Sequence, residues 1–443
     1  MSHSNRHSSQ SSMALCDLPP EMIGEIASHL DLSDLLNVHL VCHYLKDATV
    51  NRYERAKIAN LRTDFSRESL ARLEKLSNSH LAPHVKELNI VGKPVWWTCR
   101  LGTGLAWRRR DGRLVSDQES IRRWGEVIRG FPNCTSFSFP MTKPTDYNFA
   151  TSPGQRDNGQ AESGETAPRL IFPRLLPGET FDDALTTTDA YMVLIHIITQ
   201  AQIPIKSLTI LEHEEGGLDQ DRIDTAHLDD PAFTAAWSNL RELRLKPSYN
   251  FHMETVYLPR LMSAATNLET LSIQLTDGGR NLIKALGSDS PSQTFKLKRL
   301  SITEGHVLHM EPLEPHEPLS QLIAPHRETL EHLTISNLEF KWASPNLFLS
   351  RLSNIGMSKL RSLYINKVTW DSLREQQPET EIKGLTFPSI AHGQDLVLPR
   401  TKDVRYTLST NEADGVEPAT SEIRLEGEDM SSAVEALRQA AVV

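Results

Sequence analysis

Cysteine is scarce in this 443-residue chain: four are present, Cys16, Cys42, Cys99 and Cys134. They show neither paired spacing nor the density of a disulfide scaffold, so the fold does not depend on an oxidising compartment. Long apolar runs are missing, and no stretch approaches the length that spans a bilayer. The opening segment from Met1 to Met13 is a Ser/His/Asn/Gln tail without a signal peptide's hydrophobic region. These absences point to the cytosol, the nucleus or both. An excess of positive charge is missing too. The formal net charge is −10 and the pI is near 6.0, which argues against sequence-independent binding of nucleic acid.

Chemistry is equally thin. The chain has no Gly-x-Ser-x-Gly, no His-Glu-x-x-His, no phosphate loop and no dinucleotide glycine fingerprint. His213-Glu214-Glu215 lacks the second histidine of a zinc-protease site. Five histidines, His306, His309, His316, His326 and His332, crowd one region, but their spacing matches no zinc pattern and no cysteine lies near. No catalytic residue, no metal and no cofactor are expected.

What the sequence does have begins near its N-terminus. Pro19 and Pro20 suit the first turn of a helix, where no backbone donor is needed, and Asp17, Glu21 and Glu25 suit the positive end of its dipole. Met22, Ile23, Ile26, Ala27 and Leu30 recur at three- and four-residue spacing, which predicts one amphipathic helix from about Pro20 to Leu30. Asp31 or Ser33 would cap a second, with the stripe Leu35, Leu36, Val38, Val41, Cys42 and Leu45. Two such helices cannot bury both stripes against each other, so apolar surface is left for a partner.

The segment reads Leu18-Pro19-Pro20-Glu21, then Asp34-Leu35-Leu36, then Leu40-Val41-Cys42, and at that spacing it resembles the F-box. The resemblance implies binding to a Skp-family adaptor and, through it, to a cullin of a ubiquitin ligase. It departs from the family where His43, Tyr44 and Leu45 follow the cysteine. For the adaptor contact it points to Leu18, Pro19, Ile23, Ile26, Leu30, Leu35, Leu36, Val41 and Leu45, with some of these serving the module's own core. The alternative is a plain helical hairpin that caps the next domain.

Beyond it a six-residue signature, apolar-x-x-apolar-x-apolar, repeats. It reads Leu240-x-x-Leu243-x-Leu245, Leu268-x-x-Leu271-x-Ile273, Leu297-x-x-Leu300-x-Ile302, Leu330-x-x-Leu333-x-Ile335 and Leu360-x-x-Leu363-x-Ile365, in steps of 28, 29, 33 and 30 residues. Weaker copies start at Val85, Cys134, Ile205 and Ile382. Alternation predicts a short strand in each copy, and stripes such as Ile121, Trp124, Val127 and Ile128, or Met192, Ile195, His196 and Thr199, predict helices between strands. The pattern resembles the leucine-rich repeat over about Arg67 to Pro388, though the asparagine that usually follows the strand is out of register. The resemblance implies an α/β fold, a solenoid with a parallel concave sheet, preceded by the small all-α F-box module.

The organisation expected is thus a disordered tail over 1–13, the helical module over 14–60, an irregular solenoid over 61–390 and a C-terminal capping region over 391–443. Two insertions interrupt the solenoid. That near 92–117 carries Trp96, Trp97, Trp107 and Arg108-Arg109-Arg110 and is read as a loop packing its tryptophans on the body. That near 142–180 is rich in Pro, Gly, Ser and Thr and is read as mobile. Strand alternation places polar residues on the concave face, among which Arg244, Arg299, His332 and Tyr364 are the candidates for holding a protein substrate, since Arg and Tyr carry much interface energy. The function expected is a substrate receptor of a Skp–cullin–F-box ligase, the substrate itself unknown. A non-ligase interaction scaffold is the alternative.

Overall fold

In the computed structural model the described residues are 15–95, 98–139, 179–182, 184–210, 223–246, 257–275, 283, 286, 295–309, 318–341, 345–366, 369–371, 383–384, 405–410, 420–427 and 430–440. Three helices come first: α1 (Pro20–Ser28), α2 (Leu32–Val41) and α3 (His43–Ala59). Pro20 occupies the first turn of α1. Of the two capping candidates for α2, Asp31 does the work, its side chain accepting from the Asp34 amide at 2.8 Å.

The stripe read as one helix from Leu35 to Leu45 is two. The chain turns extended at Cys42, with φ −161° and ψ 162°, and restarts as α3. In one continuous helix Leu45 would stand about 80° round from Leu35 and roughly 15 Å further along, too far to share a small core. Folding back at Cys42 lets both bury, together with Ile23, Ala27 and Thr49. The Thr49 hydroxyl is satisfied inside that core by donating to the Leu45 carbonyl at 2.7 Å.

The body follows directly. It is built on nine strands: β1 (Asn60–Thr63), β2 (Glu87–Ile90), β3 (Ser136–Phe139), β4 (Ser207–Ile210), β5 (Glu242–Leu245), β6 (Thr270–Gln274), β7 (Arg299–His309), β8 (His332–Lys341) and β9 (Ser362–Asn366). They lie parallel and in chain order. The repeated signature sets their register. Leu88, Phe137, Leu208, Leu243, Leu271, Leu300, Leu333 and Leu363 face one another across successive strands, and none is more than 1% exposed. Helices α4 (Arg67–Ser77), α5 (Glu119–Arg129), α6 (Thr187–Ala201), α7 (Pro231–Trp237), α8 (Tyr257–Ala264), α9 (Pro318–Ile323) and α10 (Pro345–Ile355) alternate with them. α4 packs on α5, α5 on α6, α6 on α7 and α9 on α10. A mostly parallel sheet layered with helices is an α/β architecture. The expected stripes of α5 and α6 are buried in it.

The ends depart from expectation. β1 precedes the first copy of the signature. The copy expected at Ile382 does not supply the next parallel strand: Lys383–Gly384 pairs antiparallel with Thr369–Asp371, and Leu385 to Phe387 fall outside the described residues. The sheet instead reverses. β10 (Arg405–Thr410) and β11 (Thr420–Glu426) are antiparallel, and β11 lies against β9. Helix α11 (Met430–Ala440) then packs on α10, where the Ser353 hydroxyl donates to Glu435 at 3.0 Å. The longest repeat step coincides with the long strands β7 and β8, whose pairing shifts register between Gly305 and Leu308. Asn337 in β8 takes φ 52°, a left-handed value that asparagine tolerates.

The insertion after β2 is ordered by antiparallel pairing. Lys93–Val95 pairs with Thr98–Arg100, and Trp107–Arg110 pairs with both Arg113–Leu114 and Glu179–Asp182. Trp96 and Trp97 lie outside the described residues, as do positions 142–178 of the second insertion and the 1–13 tail.

Candidate docking surface

Among the described residues, the exposed large apolar side chains all fall between Leu15 and Tyr44: Leu15, Met22, Ile26, Leu32, Leu36, Leu40, Val41 and Tyr44. The first two helices of the module therefore each carry two apolar rows. On α1, Ile23 and Ala27 point inward while Met22 and Ile26, also one turn apart, stay exposed. On α2, Leu35 is fully buried while Leu32, Leu36 and Leu40, spaced four residues apart, run along the outside; Leu40 is 76% exposed and Val41 68%. A monomer gains nothing by wetting such a row, and a patch of this kind marks a contact surface. The N-terminal turn is fastened beside it, since the Tyr44 hydroxyl donates to the Leu18 carbonyl at 2.8 Å. Arg52 of α3 donates to the Ser28 carbonyl at 2.9 Å and closes the other end.

The nine residues read as adaptor contacts divide accordingly. Pro19, Ile26, Leu36 and Val41 are exposed, and Leu18 and Leu30 are half-buried. Ile23, Leu35 and Leu45 are corrected to core residues: at 2%, 0% and 2% exposure they have no surface to offer a partner. The sequence reading missed Leu15, Met22, Leu32, Leu40 and Tyr44. The four-residue spacing of Leu32, Leu36 and Leu40 was the available signal.

The four residues proposed for substrate lie on the open face of the sheet but do not converge. Arg299 and His332 are direct neighbours on β7 and β8. Arg244 and Tyr364 share one cross-strand row, with Ser272, Ser301 and Thr334 between them, a separation of about 19 Å at ordinary strand spacing. Arg244 is held by Glu242 of its own strand at 2.6 Å, and the Tyr364 hydroxyl accepts from the Asn366 amide at 3.1 Å. The face is polar and rich in hydroxyls, with both signs of charge.

In the Trp/Arg-rich insertion the middle arginine is spoken for. Both terminal nitrogens of Arg109 donate to Asp189, at 2.7 and 2.6 Å, and its Nε donates to Asp182. Asp189 is also the third residue of α6 and forms a capping box with Thr186. Burial would raise the Asp189 pKa, but the Arg109 pair and the amide and hydroxyl of Thr186 outweigh it and hold the carboxyl below its usual range. Trp107 is fully buried and donates to the Gly102 carbonyl at 2.7 Å. The loop is thus pinned to the body by its tryptophan and its central arginine.

Buried titratable groups serve packing. The hydroxyls of Tyr191 and Tyr257 meet at 2.6 Å, with His227 Nε2 3.4 Å beyond, sealed between α6, α8 and the turn Thr225–Asp229. Of the five crowded histidines, His326 is fully buried and stacked on Phe295, and burial pushes it down to about 4. His332 lies on the open sheet face, and His316 falls outside the described residues. No group of three or more His, Cys, Asp or Glu side chains suits a metal among the described residues, and no described helix is long and apolar enough to cross a membrane.

A family model described as F-box-like matches residues 15–54. Residues 15–54 are an F-box-like domain. The match covers the N-terminal turn, α1, α2 and most of α3, and so takes in every exposed apolar residue named above. Domains of this kind generally bind Skp-type adaptors. A comparison with curated proteins gives no match.

Proposed function

We propose that this chain is a substrate receptor of a Skp–cullin–F-box ubiquitin ligase, and that its α/β body is an irregular leucine-rich-repeat solenoid. The observation that carries the reading is that, among the described residues, the exposed large apolar side chains all lie in the F-box-like domain. The row Leu32, Leu36 and Leu40, with Ile26 and Val41, is the surface on which the adaptor sits. In support of the solenoid stand a strand at each repeat step, a described helix in seven of the eight intervals between the nine strands, stacking of the strands in chain order, and one register for the buried apolar column.

The chain's part in the reaction is positional. The cullin side brings the ubiquitin thioester, the open sheet face holds the substrate, and proximity raises the effective concentration of an acceptor lysine. No residue of this chain is catalytic and no cofactor is needed. The compartment is the cytosol, the nucleus or both.

Leu36→Asp combined with Val41→Asp tests this, because both side chains are exposed and neither change opens the module's core. The double variant should lose adaptor binding by about 100-fold or more, with an unchanged circular dichroism spectrum. Undiminished co-purification with the adaptor would overturn the assignment. A second reading is favoured by the way α3 runs straight into β1 and packs on it: the module would then cap the sheet of a non-ligase scaffold. Capture of no adaptor by the folded chain would select that reading, and adaptor captured without cullin would select its other form, a scaffold that binds an adaptor outside a cullin complex.

A further inference from the structure

Two thiols separated by 26 positions in sequence meet in the helical module, where Cys16 Sγ and Cys42 Sγ are 3.8 Å apart. Cys16 belongs to the short turn Leu15–Asp17 ahead of α1, and Cys42 is the extended joint between α2 and α3. The same two segments are already tied by the Tyr44 to Leu18 hydrogen bond, so the sulfurs are held near each other and do not meet by chance. Both cysteines are free, Cys16 exposed and Cys42 half-buried, within reach of a small reagent. Cys134 differs: it is sealed in the core, and burial pushes its thiol up to about 12, which makes it inert.

We propose that Cys16 and Cys42 form a reversible disulfide, which makes the N-terminal turn of this module a site of oxidation by small disulfides such as oxidised glutathione. The Cys16 thiolate attacks one sulfur of oxidised glutathione, forming a mixed disulfide and expelling one glutathione thiolate, which takes up a proton. The Cys42 thiolate then attacks Cys16 Sγ, closing the protein disulfide and expelling the second glutathione. Two protein thiols lose two electrons and two protons, and one glutathione disulfide becomes two thiols. Closing the gap to about 2.05 Å asks the sulfurs to approach by under about 2 Å, which side-chain rotation at an exposed turn supplies. The hydrogen bond with Cys42, foremost, and the nearby Asp17 carboxylate hold the Cys16 thiol above its ordinary range. Attack is therefore slow at neutral pH. Once formed, the bond fixes Leu15 and Leu18 relative to Val41. On the docking reading given above, that presets the edge of the adaptor surface.

The full-length chain is incubated with oxidised glutathione at about pH 8.5, alkylated, digested and mapped by mass. A peptide pair joining Cys16 to Cys42 should exceed any pair involving Cys99 or Cys134 by about tenfold, since the Cys16 and Cys42 sulfurs are pre-positioned. It should disappear on reduction and be absent in Cys16→Ser, a surface change that leaves the core intact. Cys42→Ser should instead trap glutathione on Cys16. Glutathione accumulating on Cys16 of the unsubstituted chain without closure, or a preferred link to Cys99, would overturn the proposal. Adaptor capture is compared separately for the reduced and closed forms, with about threefold or more tighter binding expected after closure because the turn is already ordered. Equal capture would remove the regulatory consequence. No capture in either form would count against the F-box reading while leaving the crosslink standing.

Discussion

Arg109→Met should unfasten the Trp/Arg-rich insertion, and its cost can be worked from the atoms involved. Arg109 and Asp189 have side chains 7% and 4% exposed and share two short hydrogen bonds. Breaking such a buried pair from one side costs about 3–5 kcal/mol, because the carboxylate left behind stays buried and charged. Asp189 Oδ2 keeps the amide and hydroxyl of Thr186, at 2.9 and 2.7 Å, while Oδ1 loses its arginine partner. The lower end, about 3 kcal/mol, is therefore expected. The half-exposed Asp182 contact adds little.

The pH dependence is the sharper readout, and its sign reverses. With Arg109 present the folded-state pKa of Asp189 lies below its ordinary value, so the pair's contribution is complete at neutral pH and is lost only as pH falls through the depressed pKa. Without Arg109 burial dominates and the pKa moves above the ordinary value. Acidification from pH 7 then protonates Asp189 in the folded state and returns stability. Chemical denaturation at several pH values reads this, and hydrogen exchange at the amides of Trp107–Arg110 localises it. Arg109→Met with Asp189→Asn, which keeps the helix cap, should recover most of the loss. A single variant costing under about 1 kcal/mol, or one whose stability falls on acidification as in the unsubstituted chain, would refute the reasoning.

Three further outcomes follow from the same geometry. Gly102 has φ +71°, and a Cβ there would stand 2.6 Å from Trp107 Nε1 and 2.7 Å from Leu185 Cγ; Gly102→Ala should lower stability by about 2 kcal/mol or more in denaturant titration. Leu271→Ala, in the middle of the buried leucine column, should cost about 2–5 kcal/mol by the same measurement, against a smaller loss for Leu61→Ala at the half-buried edge strand. Burial holds His196 and His326 down to about 4, so the neutral rings support the fold fully above about pH 6.5 and that support fades as pH falls towards 4, by up to about 3 kcal/mol each. His326→Phe should flatten this part of the stability–pH curve.

The parallel array was legible because each Leu-x-x-Leu-x-Leu copy buries its leucines on one side, and alternation with one buried side leaves a period of two in the sequence. β1 was not, since Leu61 is the sole leucine in its four residues. The reversal at β11 was hidden for a different reason: Ile423-x-Leu425 alternates as the parallel copies do, and strand direction leaves no mark on composition. α3 was missed because few of its seventeen residues bury, with only Leu45 and Thr49 sealed, so no stripe announces it. In the F-box-like domain the composition was informative but the facing was not. Leu35 and Leu36 are equally apolar, and only packing decides that one is sealed and the other wet. The meeting of Cys16 and Cys42 depends on the fold-back at Cys42, which the stripe had concealed.

α3 ends at Ala59 and β1 begins at Asn60, with no intervening loop. A seventeen-residue helix is a stiff arm of about 26 Å, and here it is welded to the first rung of the sheet. Whatever binds the outer row of α2 and whatever rests on the open face are consequently fixed in bearing to each other, as two instruments bolted to one beam. Lengthening or loosening that single joint would alter which parts of a bound protein can be reached, without touching either surface.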